Sequence, residues 1–258
     1  MNNNEGSAAL SANPQVPRPQ KAAKITAQHI VREIDRRQLE PGDMLAPERV
    51  MLEELGVGRG TLREALRFLE FQGVVELKPG PSGGPVITFP EASILSSTIM
   101  LLLQFRGAPF RVIVESRMAL EPVTAFQATD RISDEQLDVL RSSVDDLERS
   151  MEDRSKFLEA SHIFHETIAT ASGNALFDCL VSSLRGILDG SVLGIDYPRH
   201  RRMAILKDHR LILSAISAGK STEAQDLMRD HMYSYLTYAE AKYPEILEQK
   251  LIWDNFSE

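Results

Sequence analysis

The chain has 258 residues, 43% of them hydrophobic, which exceeds one ordinary domain and supplies apolar mass for two packed cores. A formal net charge of −8 argues against a protein that coats nucleic acid with its whole surface, and a single cysteine, Cys179, excludes an intramolecular disulfide framework. No stretch approaches the ~20 apolar residues of a membrane span, and the first twenty residues lack the basic start and apolar run of a signal peptide. The expectation is a soluble cytoplasmic protein.

The charge is unevenly placed. Residues 1–90 hold 11 Lys+Arg against 11 Asp+Glu, whereas residues 91–258 hold 18 against 26. An N-terminal region without net charge can still bind phosphates if its cations share one face, because affinity follows the local field.

In chain order, residues 1–20 carry Pro14, Pro17 and Pro19 with few large apolar side chains, and read as a disordered arm. A helix over Lys24 to Arg37 follows from Ile25, Ile30, Val31 and Ile34, and Pro41-Gly42-Asp43 is a turn. The second helix runs from about Pro47 to Leu55, with proline in the first turn and Gly56 as C-terminal cap. The third opens at Gly58 or Arg59, continues to about Gln72 and is stopped by Gly73. At ~100° per residue Leu62, Ala65, Leu66 and Leu69 share one face, and Arg59, Arg63 and Arg67 fall on the adjoining arc. Two short strands, Val74–Leu77 and Val86–Thr88, flank a Gly/Pro-rich segment. Three helices and a hairpin over residues 21–90 make a winged helix-turn-helix.

An apolar linker helix, about Ala92 to Phe105, occupies residues 91–107. From 108 to 242 only helical spacing is found, with helices near 110–129, 133–151, 155–172, 175–190, 200–218 and 221–241. Ser133 and Ser221 are candidate N-caps, each before a glutamate (Glu135, Glu223); Pro122 falls inside a helix; Asn174 caps the break after Gly173. Cys179 sits among apolar neighbours like a core residue. The fold class is mainly α: an N-terminal winged helix-turn-helix plus a C-terminal antiparallel α-helical bundle of six or seven helices. The tail, 243–258, carries Ile246, Leu247, Leu251, Ile252, Trp253 and Phe256, which suit packing on the bundle or on a partner subunit.

The run Pro41-Gly42-Asp43-Met44-Leu45-Ala46-Pro47-Glu48-Arg49, followed by Leu55 through Leu66 (LGVGRGTLREAL), resembles the DNA-binding domain of the GntR family of bacterial transcription regulators. Arg117 with Glu121, Phe164-His165 with Ser172-Gly173-Asn174, then His209 and His231 resemble the effector-binding (FCD) domain of its FadR-like subgroup. The two resemblances span roughly residues 24–240.

The resemblance implies that Arg49, Arg59, Arg63 and the hairpin wing contact double-stranded DNA, and the chemistry agrees. A guanidinium fork can bond guanine O6 and N7 together. Thr61 suits a phosphate or a thymine methyl, and Lys78 and Gly80 at the wing tip suit a minor groove. The competing reading for the arginines is a solvated helix face paired with Glu64 and Glu70. Gly58 stands where the family commonly has serine, and loses that side chain's phosphate contact.

The resemblance further implies that His165, His209 and His231 hold one Zn or Ni ion per subunit. Ser161 replaces the aspartate that is the usual fourth ligand, which weakens such a site, so a metal-free pocket for an organic ligand stays open beside it. Arg117 and Ser161 would face a small organic acid effector. Arg117 suits a carboxylate clamp and equally an internal ion pair with Glu121; His162, one turn from His165, is expected to face elsewhere. The reading is a ligand-responsive repressor binding a palindromic operator as a homodimer, without membrane attachment. The effector acts through the helix near 92–105 and is reciprocally coupled to DNA affinity. The alternative is a metal-dependent hydrolase using the same histidines. Against it, His165-Glu166 is followed by Ala169 where zinc-peptidase spacing needs histidine.

Overall fold

A computed structural model describes residues 19–80, 83–188 and 195–253. The expected arm up to residue 18 and Phe256 of the tail lie outside the described residues. The chain divides into two compact units, Met1–Pro90 and Glu91–Glu258.

In the first unit α1 (Pro19–Arg37) is followed by α2 (Glu48–Leu55), α3 (Arg59–Phe71), β1 (Val75–Lys78) and β2 (Gly84–Ile87). α1 begins at Pro19, so the last two residues assigned to the arm are helical. Its buried stripe is Ala23, Ala27 and Ile30, with Ile25 and Val31 exposed, because small side chains allow close approach to α3. Pro47 is the residue before α2 instead of lying in its first turn. Leu62, Ala65, Leu66 and Leu69 are all at most 2% exposed and join Met51 and Val75 in one core, each leucine contributing ~1.5–3 kcal/mol by leaving water.

The strands pair antiparallel, Val75 with Ile87 and Lys78 with Gly84. They are each one or two residues displaced from the expected limits. Leu45 N donates to Pro85 O and Ile87 N to Asp43 O, both at 2.9 Å, which ties the hairpin to the segment before α2.

Gly56 caps α2 at φ +62°, donating its N–H to Leu52 O at 3.0 Å. A Cβ there meets nothing within 4 Å, so the penalty for a side chain is confined to the backbone. Gly56→Ala is expected to cost ~1–2 kcal/mol. A denaturant melt followed by circular dichroism that matches the wild type would contradict this.

The second unit comprises α4 (Ala92–Phe105), α5 (Arg111–Thr129), α6 (Asp134–Arg149), α7 (Arg154–Ala171), α8 (Ala175–Leu188), α9 (Arg199–Ser217), α10 (Ser221–Lys242) and the short α11 (Pro244–Leu247). The six long helices α5 to α10 build the bundle, with α4 against α8 and α11 against α10. Residues 189–190, expected to end α8, lie outside the described residues. The core runs through Phe110, Leu140, Phe157, Phe164, Ile168, Ile187 and Ile212.

Ser133 caps α6 in a reciprocal box with Gln136: each side chain accepts from the other residue's backbone N–H, at 3.2 and 3.1 Å. Ser221 is not a cap. It lies inside α10, preceded by Lys220, and its hydroxyl donates to Asp130 Oδ1 at 3.0 Å. Asn174 Oδ1 accepts from Leu176 N and Phe177 N at the start of α8. Cys179 is exposed, contrary to the expected core position, because α8 turns Val181 and Leu184 inward instead.

The tail packs on the bundle. Leu247 and Leu251 are buried in its core, Phe110 N donates to Gln249 O, and Trp253 Nε1 donates to Ser97 Oγ of α4 at 2.7 Å.

Candidate functional site

Two candidate sites stand on the two units. On the first, α3 buries its leucines and thereby turns Arg59, Arg63 and Arg67, spaced four apart, to the exposed side. Arg63 Nε is 3.5 Å from Glu48 Oε2 and Arg49 Nη1 is 3.5 Å from Glu53 Oε1. Both pairs are exposed and worth ~0–1 kcal/mol, so a phosphate or base can displace them. Arg59 forms no ion pair among the described residues.

The competing arrangement, arginines neutralised by Glu64 and Glu70, is not adopted. Glu70 instead accepts Leu77 N at 3.2 Å, joining α3 to the hairpin. Arg63, Arg67, Lys78 and Gly80 line one groove between α3 and the hairpin. Lys78 is not at the wing tip but is the last residue of β1, 3.9 Å from Glu76. Gly80, at φ +111°, makes the turn, and residues 81–82 lie outside the described residues. Thr61 is half-buried at the start of α3.

On the second unit His165 of α7, His209 of α9 and His231 of α10 converge. One nitrogen of each lies within 4.8 Å of the others, and all three residues are buried. Phe164 stacks on His209 with ring centroids 4.0 Å apart, which fixes the imidazole plane. His209 Nε2 is 3.3 Å from His231 Nε2.

Two carboxylates hold the outer nitrogens. Asp208 Oδ2 lies 3.2 Å from His231 Nδ1. Glu121 Oε2 lies 2.5 Å from His165 Nδ1, in a close contact off the straight hydrogen-bond line. His209 Nδ1 has no hydrogen-bond partner among the described residues. Burial lowers the pKa of His165, against the opposing pull of Glu121. Burial also pushes His209 well down, helped by its neighbours His231 and His165. An imidazole held neutral by burial with a carboxylate at its other nitrogen, as His165 is beside Glu121, is the state in which histidine ligates metal. The donor set therefore suits Zn²⁺ or Ni²⁺.

Arg117 pairs with Glu121 through Nε and Oε1, one turn apart on α5. Of its two expected roles the structure shows the ion pair. Burial raises the Glu121 carboxyl, but Arg117 and then His165 outweigh it and bring the group down to about 2. A carboxylate so held is a poor proton acceptor.

Arg117, Ser161 and His165 line a common cavity with Arg201 and Tyr235. His162 lines it too, contrary to the expectation that it faces away, because α7 presents residues 161, 162 and 165 to the same opening. Sequence reasoning missed Asp208, Arg201 and Tyr235. Tyr235 was findable, one turn after His231 on the same helix. Asp208 and Arg201 act across helices, where spacing along one chain segment carries no signal.

The amino-terminal region, residues 22–82, matches the family model for bacterial regulatory proteins of the gntR family, and residues 112–234 match the FCD domain. The chain is 28% identical over 228 residues to the uncharacterized HTH-type transcriptional regulator YcbG of Bacillus subtilis (strain 168), covering 88% of this chain and 92% of that protein. It is 25% identical to the HTH-type transcriptional repressor NanR of Cronobacter sakazakii, covering 83% of this chain and 84% of NanR. A solved structure, Streptococcus agalactiae GntR, superposes with a TM-score of 0.65 at 28% identity, over 83% of this chain and 98% of that one. With a helix-turn-helix module followed by an FCD domain, the chain belongs to the GntR family of transcription regulators.

Proposed function

We propose that this regulator is a cytoplasmic repressor that binds a palindromic operator as a homodimer and releases it when a small organic acid enters the helical domain. The observation that carries the reading is the pairing of an exposed arginine face on α3 with a buried, cation-lined cavity in the second unit. Two recognition helices related by a twofold axis meet half-sites about one helical turn apart. The repressor NanR among its relatives supports the sign of regulation. Arg59 and Arg63 are assigned to base edges, and Arg49, Thr61, Lys78 and Gly80 to the DNA backbone or minor groove.

A mobility-shift titration on DNA upstream of its own gene tests this, with short carboxylic acids added alone and with Zn²⁺ or Ni²⁺. The expected result is a sequence-specific shift that the acid abolishes, from a species of dimer mass in sedimentation. Equal affinity for operator and scrambled duplex overturns the assignment.

The same reading places one Zn or Ni ion per subunit on His165, His209 and His231. Bound there, the ion supplies a Lewis-acidic position for a ligand oxygen. Elemental analysis after chelator-free purification is expected to find about one equivalent, and His209→Ala to lose it together with the stabilisation that added Zn²⁺ gives in a thermal melt. A metal-free wild type that still answers its effector removes the ion from the proposal.

A further inference from the structure

We propose that Arg201, and not Arg117, receives the carboxylate of the effector, and that this effector is a short monocarboxylic acid. The inference rests on the ligand-responsive reading above and gives it a docking point.

Arg201 lies near the start of α9 and is only 7% exposed. Its Nη1 donates to Ser234 Oγ at 2.8 Å, and the guanidinium carbon sits 5.1 Å from the centre of the Tyr238 ring. Serine and ring together fix the plane of the group. Among the described residues its remaining edge, Nε and Nη2, is buried without a hydrogen-bond partner. That edge carries two parallel N–H donors, the arrangement that matches the two oxygens of one carboxylate. A buried guanidinium with half its donors unmet is costly, and an anion arriving in the cavity removes that cost.

Arg117 already has a counter-ion, Glu121, on its Nε. No described residue offers Arg201 a paired carboxylate: Asp208 acts on it only through space, and is engaged with His231. Tyr235 lines the same cavity with a buried hydroxyl, which interacts with that of Tyr197. It suits an oxygen on the carbon next to the carboxylate.

Size narrows the class. The cavity offers about 60 Å³, room for roughly four to six waters at ~10–15 Å³ each. An acid of two to four carbons fits that space.

Calorimetric titration of the full-length protein with acetate, propionate, glycolate and pyruvate, and with methyl pyruvate as the ester control, tests the assignment. The wild type is expected to bind at least one acid and not the ester. Arg201→Lys, which keeps the charge but loses the fork, is expected to weaken that acid ~30-fold or more. Arg117→Lys, which keeps a cation beside Glu121, should weaken it less than Arg201→Lys does. As a measurement needing no variant, the Arg201 Nε–H resonance should shift when the acid saturates the wild type.

An unmoved Arg201 resonance, or Arg201→Lys binding as the wild type does, overturns the arginine assignment and leaves the effector reading standing. Operator binding that no acid weakens, together with no calorimetric signal, overturns both.

Discussion

Replacing Glu121 by glutamine is expected to destabilise the helical domain by ~3–5 kcal/mol, the largest single-site effect this structure implies. Glu121 is 1% exposed, and Arg117 beside it keeps only 12% of its side-chain surface. An amide of the same shape leaves Arg117 charged, buried and without its counter-ion, and removes the anion that faces His165. Restoring the charge balance with a second change, Arg117→Met, should recover part of the loss, since removing a buried pair together costs less than breaking it. Urea denaturation at neutral pH checks both. A Glu121→Gln domain within ~1 kcal/mol of wild type would show that the pair contributes little beyond packing.

The same group sets an acid limit. Its folded pKa, about 2, lies below the ordinary 4.5. The unfolded chain therefore takes up the proton first, and the stabilisation from Glu121 is complete above pH 4.5 and fades as pH falls toward 2. Stability measured across that window should slope in the wild type and lose this component in Glu121→Gln.

Arg59→Ala and Arg63→Ala are each expected to lose ~1–3 kcal/mol of operator affinity, five- to more than a hundredfold at 1.4 kcal/mol per decade. Arg59 has no ion pair among the described residues to surrender, and Arg63 gives up only an exposed contact at 3.5 Å. Little of the cost should therefore reappear as altered fold stability. Anisotropy titrations on operator and scrambled duplex separate the roles. If both affinities fall together, the arginine holds phosphate; if the operator alone suffers, it reads a base edge. Unchanged affinity for the operator would remove α3 from the recognition surface.

Local periodicity made much of this molecule legible in advance. Leu62, Ala65, Leu66 and Leu69 declare the buried face of α3, and Gly56 and Gly173 mark helix ends whose positive φ few other residues tolerate. Single-residue chemistry read less well where tertiary packing decides. Ile25 and Val31 look like core residues, yet alanines face α3 because closeness there matters more than bulk. Cys179 looks buried by its neighbours and is exposed. The three histidines stood out as a set, but Asp208 and Arg201 did not, since their partners lie on other helices, brought near only by the bundle.

Because His165, His209 and His231 come from α7, α9 and α10, no fragment holding two of these helices assembles the cluster. Anything that grips all three rings joins segments more than sixty residues apart in the chain. Occupancy thus certifies that the domain has finished folding: a half-built subunit has nothing with which to sense.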